Sequence, residues 1–191
     1  MANKVNYKNL FNVEPDCITA VGCSWVIGID PSGSEKSGKG HTGIVLMCKI
    51  HQHVLNNYTL QIGVDVKDKG ELVDRLSDDI ANFVDRNHNV KIVVEDYVSY
   101  GDTMGQDAET KYVVDALHIF LKRNLVDHDI PIASEHKARF RKELLVEKGV
   151  EVEKLGTRHE LDALKMCLYD IMFHDKKEVE QCRKCRKLGG K

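Results

Sequence analysis

The sequence predicts an α/β fold, in which a mixed five-stranded sheet with its first three strands antiparallel is flanked by helices. Two observations predict this class. Three apolar, β-branched runs follow one another early in the chain with only short polar segments between them, and helical and strand-like segments then alternate. The 191 residues, 42% hydrophobic and 30% charged, are enough for one domain with its own core.

The first three strands are predicted from composition and spacing. The run SWVIGID (24–30) is apolar and ends in an acid, which is typical of a buried strand. The runs 42–50 and 53–64 are separated by so few residues that they are expected to lie antiparallel to each other. We assign Gly33 and Gly43 to the turn between the first two strands.

The remaining elements alternate between helix and strand. Apolar residues recur at helical spacing over 71–86, which predicts an amphipathic helix. The run KIVVED (91–96) predicts a fourth buried strand that again ends in acid, and TRHE (157–160) is a capping box that begins the last helix. Between these two segments we expect a helix over 106–124, a fifth strand over 130–134 and a basic helix over 136–148.

Charge divides the chain into an arm (1–24), a central domain (25–174) and a basic tail (175–191). The net charge is −2, yet the tail carries seven Lys or Arg against three acids, and 136–148 carries five against two. Two basic patches on an acidic body indicate a contact with a polyanion. Six scattered cysteines, no signal-peptide core and no apolar run of ~20 residues predict a cytoplasmic protein without a membrane contact.

The loop GSEKSGKG (33–40) comes within one residue of a phosphate-binding P-loop. Gly40 stands where that motif needs a metal-binding Ser or Thr, and the segment after it is strand-like rather than helical. The sequence therefore argues against a P-loop nucleotide site, and we expect no ATP turnover that depends on Lys39.

Acidic side chains stand at the ends of separate elements. Asp30 and Glu95 each end a buried strand, where a carboxylate needs a partner such as a cation. His159 and Asp162 lie three residues apart near the start of the last helix, hence on one side of it. Each has an ordinary explanation as a cap or a surface residue, but together they predict a site for Mg²⁺ or Mn²⁺.

The ordered set of motifs resembles the RuvC-type Holliday junction resolvases of the ribonuclease H-like superfamily, and more narrowly their divergent bacteriophage members. The resemblance covers roughly residues 24 to 174 and implies a ribonuclease H-like fold. The matching pieces are GIDPSG with the following HTG on the first hairpin, VVEDYVSYG on the fourth strand, SEHKARFRKELL before the last helix, and HELDALKMCLYD on that helix.

The resemblance implies Asp30, Glu95, His159 and Asp162 as ligands of two Mg²⁺ (or Mn²⁺) ions. Many members have Asp where His159 stands, and some active members are similar to this chain in having His. The resemblance also implies that Lys137 contacts phosphate near the scissile bond, where a cation stabilises developing negative charge. The alternative for Lys137 is a solvated lysine at a helix start.

Further basic and aromatic residues are candidates for contact with DNA. Three on the basic helix would neutralise phosphates without reading sequence, and two lysines in the first loop lie beside the predicted site or in solvent. Two tyrosines after the fourth strand would stack on bases or cover a core edge. The residues are Arg139, Arg141, Lys142, Lys36, Lys39, Tyr97 and Tyr100. The tail's CRKC is a single C-x-x-C, a weak zinc signal because a closed site needs four ligands.

The sequence thus predicts a metal-dependent endonuclease that resolves four-way DNA junctions by paired nicks, leaving 5′-phosphate and 3′-hydroxyl ends. Two symmetric nicks require two sites and hence a homodimer. Val113, Leu117 and Phe120 are candidates for its interface, although core packing explains them equally. The alternatives are a ribonuclease H-like nuclease for flaps, forks or RNA–DNA hybrids, and a junction-binding protein without cleavage. If the chain is phage-encoded, the expected location is the cytoplasm of a bacterial host.

Overall fold

The protein is built on one mixed five-stranded sheet. The computed structural model describes residues 24–32, 40–84, 89–96, 106–131 and 136–174. The strand order is β3-β2-β1-β4-β5, in which β1 pairs antiparallel with β2 and parallel with β4. The predicted fold class is confirmed, including the antiparallel arrangement of the first three strands. The strands are β1 Trp25–Asp30, β2 His41–Cys48, β3 His53–Gln61, β4 Val90–Val94 and β5 Asp127–Asp129.

Helices cover both faces of the sheet. None in the described part of the chain combines the length and the apolar character that crossing a bilayer demands. A 3-10 turn, Val152–Lys154, precedes the last helix, and a π-helical segment, Asp170–His174, follows it. The α-helices among the described residues are α1 Lys69–Val84, α2 Gln106–Arg123, α3 Lys142–Glu147 and α4 Arg158–Tyr169.

Side chains alternate along β1 and define two faces. Ile27 and Ile29 belong to the rear face, an apolar cluster completed by α1 and α2. Gly28 and Asp30 belong to the front face, on which α4 lies. Side chains of β1 therefore face either the apolar rear cluster or the front face beneath α4.

The rear face contains the residues that were candidates for a dimer interface. Val113 and Leu117 of α2 are fully buried in the rear cluster, and Phe120 packs against it. The core interpretation of these residues is therefore correct. The exposed apolar side chains of α2 are Tyr112 and Ile119, which are 49% and 52% exposed.

Two glycines allow α4 to lie directly on the front face. A Cβ atom on Gly28 would stand 2.3 Å from the carbonyl oxygen of Ala163, and one on Gly43 would stand 2.2 Å from the carbonyl carbon of His159. Only glycine permits backbones to approach so closely. The prediction that Gly43 forms the turn is wrong, because it lies inside β2 opposite Asp30. Gly33 lies outside the described residues.

The start of α4 is fixed by its cap and by a tie to the edge strand β3. Thr157 is the N-cap, and its Oγ1 accepts a hydrogen bond from the backbone N–H of Glu160 at 3.2 Å, as predicted. The Glu160 carboxylate accepts from Thr59 Oγ1 at 2.6 Å and from Asn57 Nδ2 at 2.7 Å. The first turn of α4 is thereby held in a defined position over the sheet.

Two predicted elements differ from the structure. The fifth strand lies at Asp127–Asp129; of the run predicted over 130–134, Ile130 and Pro131 are outside the strand and the rest lies outside the described residues. Pro131 lacks the N–H that a strand needs there. Its carbonyl oxygen instead accepts from the backbone N–H of Asp96 at 2.9 Å. The basic helix predicted over 136–148 is interrupted, since Arg141 is extended (φ −64°, ψ 146°) and α3 begins only after it.

Candidate active site

The ends of β1 and β4 bring two acids together. The strands are parallel, with Ile29 opposite Val94, and the backbone N–H of Glu95 donates to the Ile29 carbonyl at 2.9 Å. The pairing thus continues one residue beyond β4 and sets Glu95 beside Asp30. Both acids are buried.

Helix α4 adds His159 and Asp162 to this pair. His159 Nδ1 lies 2.6 Å from Asp30 Oδ2. This contact follows from the glycine opposite Asp30, because Gly43 lets the backbone of His159 rest on β2. Asp162 is buried one helical turn later, on the same side of α4.

Lys137 lies among these carboxylates. Its Nζ donates to Glu95 Oε1 at 2.7 Å and lies 3.1 Å from Asp162 Oδ2. The side chain is 32% exposed, so the ammonium also borders solvent. The structure therefore brings all five predicted catalytic residues into one cluster and does not support the solvated alternative for Lys137.

Two further basic side chains in the cluster were missed by the sequence analysis. His136 is fully buried, with Nε2 3.3 Å from Glu95 Oε2. Lys165 is also buried, and its Nζ donates to Asp162 Oδ1 at 2.7 Å. The three-residue spacing of Asp162 and Lys165 on a helix is a signal that could have found that pair. The position of His136 depends on a tertiary contact that no local pattern encodes.

The pKa values of the two strand-end acids, Asp30 and Glu95, are shifted in opposite directions. Burial, together with the neighbouring Glu95 charge, raises the pKa of Asp30 to about 6, against the opposing hydrogen bond from His159. Burial acts upward on Glu95 as well, but hydrogen bonds from His136 and Lys137 outweigh it and lower the pKa of Glu95 to about 2. At neutral pH the pair therefore carries negative charge that favours a cation.

The two basic partners hold their protons more tightly than usual. The hydrogen bond to Asp30 raises the pKa of His159, in opposition to burial. Burial lowers the pKa of Lys137, but the charges of Asp30 and Glu95 outweigh it and the net direction is upward. Lys137 is therefore a permanent cation of the cluster.

The donor set suits a hard divalent ion, because carboxylate oxygens and an imidazole nitrogen are ligands of Mg²⁺ and Mn²⁺. In the described part of the chain no three His, Cys, Asp or Glu side chains already stand around one ion-sized position. Lys137 bridges Glu95 and Asp162, and His159 is hydrogen-bonded to Asp30. The residue types fit a divalent cation, and the Lys137 ammonium lies between two of the carboxylates that would hold it.

The residues predicted to contact DNA differ in their surroundings. Arg141 and Lys142 are exposed at the start of α3. The guanidinium of Arg139 lies 4.6 Å from the ring centroid of Phe173 and 5.7 Å from that of Tyr169, which is cation–π geometry and restrains this side chain. The remaining candidates lie outside the described residues: Lys36, Lys39, Tyr97 and Tyr100, and the CRKC motif.

Comparison with known proteins identifies the fold. No family model and no curated protein match the chain. It is similar to Thermus thermophilus RuvC solved in complex with Holliday junction substrate, with a TM-score of 0.58 and 16% identity over 79% of this chain and 94% of that one. For another Thermus thermophilus RuvC structure the TM-score is 0.56 and the identity 17%, over 78% of this chain and 95% of that one. For the yeast mitochondrial Holliday junction resolvase Ydc2 the TM-score is 0.42 and the identity 13%, over 87% of this chain and 86% of that one. The chain has the ribonuclease H-like fold of the RuvC-type Holliday junction resolvases.

Proposed function

We propose that this protein is a divalent-metal-dependent endonuclease that cuts four-way DNA junctions. The observation that carries the proposal is the convergence of Asp30, Glu95 and Asp162 from three separate elements into one buried cluster. Acids so placed are costly unless a cation compensates them. The RuvC structure of the same fold was solved with a Holliday junction, which supports the choice of substrate class.

Asp30, Glu95, Asp162 and His159 would hold Mg²⁺ or Mn²⁺, which supplies activation of water and stabilisation of the leaving oxygen of a phosphodiester. Lys137 has a part of its own. Its ammonium contacts Glu95 and Asp162, and it would be available to the negative charge on the scissile phosphate if these carboxylates held a cation instead.

Exposed basic residues on α3 and α4 are candidates for contact with DNA. The Arg158 side chain is 86% exposed with its Nε 3.9 Å from Asp162 Oδ2, and Arg141 and Lys142 are exposed at the start of α3. Arg158 was not anticipated from the sequence. We assign these three residues to phosphate contacts, which position DNA beside the cluster and weaken as salt is raised.

Paired nicks require two copies of the site, and we assign the interface to a second copy of this chain packed on α2. The exposed apolar side chains of that helix, Tyr112 and Ile119, support the assignment. Symmetric packing of one surface on itself gives a dimer with two equivalent sites.

The test is a cleavage panel with wild-type protein and the Asp30→Asn variant. The substrates are a synthetic four-way junction, a linear duplex of the same sequence, a flap, a fork and an RNA–DNA hybrid, each with Mg²⁺ or Mn²⁺. We expect symmetric, ligatable nicks in the junction alone, and binding without cleavage by Asp30→Asn. Equal cleavage of the flap, fork or hybrid would show a broader nuclease. Junction binding without cleavage by the wild type would show a binding protein.

A further inference from the structure

We propose that His136 is a positioning residue that holds the Glu95 carboxylate in the orientation a cation requires. The inference rests on the proposed function and adds a residue to its site. His136 acts through Glu95 rather than on DNA, because its side chain is completely buried.

The surroundings of the imidazole point to this role. Nε2 lies 3.3 Å from Glu95 Oε2, and since an ionised carboxylate only accepts, Nε2–H is the donor. The other ring nitrogen, Nδ1, is buried and finds no hydrogen-bond partner among the residues that the structure describes. Burying such a polar atom is unfavourable. If this position served packing alone, an apolar side chain would avoid burying an unpaired nitrogen. The hydrogen bond from Nε2 to Glu95 therefore offsets the unfavourable burial of Nδ1.

The backbone that follows His136 is tied down by hydrogen bonds. The carbonyl oxygen of His136 accepts from the backbone N–H groups of Arg139 and Phe140 at 3.2 and 3.1 Å. Phe140 is in turn buried in the front-face core. A carboxylate held from such an anchor keeps its orientation when its other partner changes.

The two oxygens of Glu95 are divided between neighbouring residues of different burial. Buried His136 binds Oε2, and half-buried Lys137 binds Oε1. The two oxygens of Asp162 also have different partners, because Lys165 binds Oδ1 while Oδ2 faces Lys137. The oxygens on the Lys137 side are thus the ones that can exchange an ammonium for a metal ion, while the opposite oxygens stay fixed. Loss of such an outer partner typically weakens a metal site by ~10–100-fold.

The test compares His136→Met with His136→Gln, which have similar volume but differ in hydrogen bonding. Glutamine carries an N–H donor at about the reach of Nε2, and methionine carries none. Mn²⁺ binding is measured by calorimetry without DNA, junction binding is measured with EDTA, and melting temperature is recorded for each variant. We expect His136→Met to weaken Mn²⁺ binding by ~10–100-fold, with junction binding unchanged, and His136→Gln to restore most of it.

Wild-type Mn²⁺ affinity in both variants would overturn the inference, whereas no Mn²⁺ binding by the wild type would overturn the proposed function instead. Should His136→Met not fold, ¹⁵N spectra of the wild-type imidazole decide. We expect hydrogen on Nε2, with a ring signal that shifts on adding Mg²⁺ and in the Glu95→Gln variant. Hydrogen on Nδ1 alone, or a signal unaffected by both changes, would contradict the role.

Discussion

The two faces of the sheet use the same strands for different purposes. The rear cluster consists of apolar side chains from the sheet, α1 and α2, packed against one another. The front face places glycines against the α4 backbone and buries charged groups beneath it, among them Asp30, Asp162 and Lys165. Both faces bury an apolar cluster, so the difference is that the front combines apolar packing with charges held in a defined geometry, whereas the rear cluster is apolar.

Two clusters within the front face differ in their charge balance. Asp170 is buried between Lys49, at 3.2 Å, and Lys91, so that one acid has two cations. The candidate active site has three acids in contact with two lysines and two hydrogen-bonded histidines. The first cluster compensates its acid with lysines alone, whereas in the second the acids outnumber the lysines and the histidines complete the set.

The largest effects should separate these two clusters. We expect Asp162→Asn to lower single-turnover cleavage by roughly 1,000-fold, about 4 kcal/mol in the barrier, because an acid of the cation site is lost. Its stability should fall as well, because Lys165 loses its acid, so cleavage is compared at matched folded fraction. We expect Asp170→Asn to destabilise the fold by about 3–5 kcal/mol in urea unfolding, because Lys49 and Lys91, both largely shielded from solvent, lose this buried acid. Its folded fraction should still cleave. A reversed pattern would contradict the comparison.

A second pair tests the faces with adjacent residues of β2. Gly43→Ala places a methyl group 2.2 Å from the His159 backbone, so α4 must move away from Asp30. We expect a loss of about 1–3 kcal/mol or more in stability and a loss of cleavage that exceeds the unfolded fraction.

The control is Ile44→Val on the rear face, which removes one methylene at about 0.5–1.5 kcal/mol and should leave cleavage intact. Urea unfolding and single-turnover cleavage at matched folded fraction are the measurements. Full activity in folded Gly43→Ala would show that α4 need not touch the sheet.

Replacing Lys137 should separate metal binding from cleavage. In Lys137→Gln no ammonium competes for Glu95 and Asp162, so Mn²⁺ should bind about tenfold tighter, or ~1.4 kcal/mol, in calorimetry without DNA. Cleavage should nevertheless fall, because the phosphate loses its cation. Lys142→Gln is the matched control, with unchanged Mn²⁺ affinity. Weaker Mn²⁺ binding by Lys137→Gln would contradict the proposed exchange of the Lys137 ammonium for a metal ion.

A final prediction concerns the pH dependence of Mn²⁺ affinity. Burial raises the pKa of Asp30 to about 6, and the bond to Asp30 raises the pKa of His159. A group binds a metal ion only after losing its proton, so affinity should rise with pH and increase about tenfold per unit and per proton below these pKa values. Calorimetry between pH 5 and about 8, in buffers of different ionisation enthalpy, measures the protons released. Affinity independent of pH would show that neither group is a ligand.

Much of this site follows from local sequence patterns. Strand-end acids and the capping box at Thr157 are readable because strand period and capping chemistry are local. The fifth strand escaped because DHD, an edge strand of three residues, has no apolar run. The roles of Gly43 and His136 escaped for a different reason: each depends on a contact between elements distant in the chain, which no residue spacing reveals.

The most direct test of the central claim is anomalous diffraction from crystals of the protein grown with Mn²⁺. We expect an anomalous peak in contact with the Asp30, Glu95 and Asp162 carboxylates, with the Lys137 ammonium moved off Glu95 and Asp162. Mn²⁺ bound elsewhere, with Lys137 still bridging the two acids, would contradict the account.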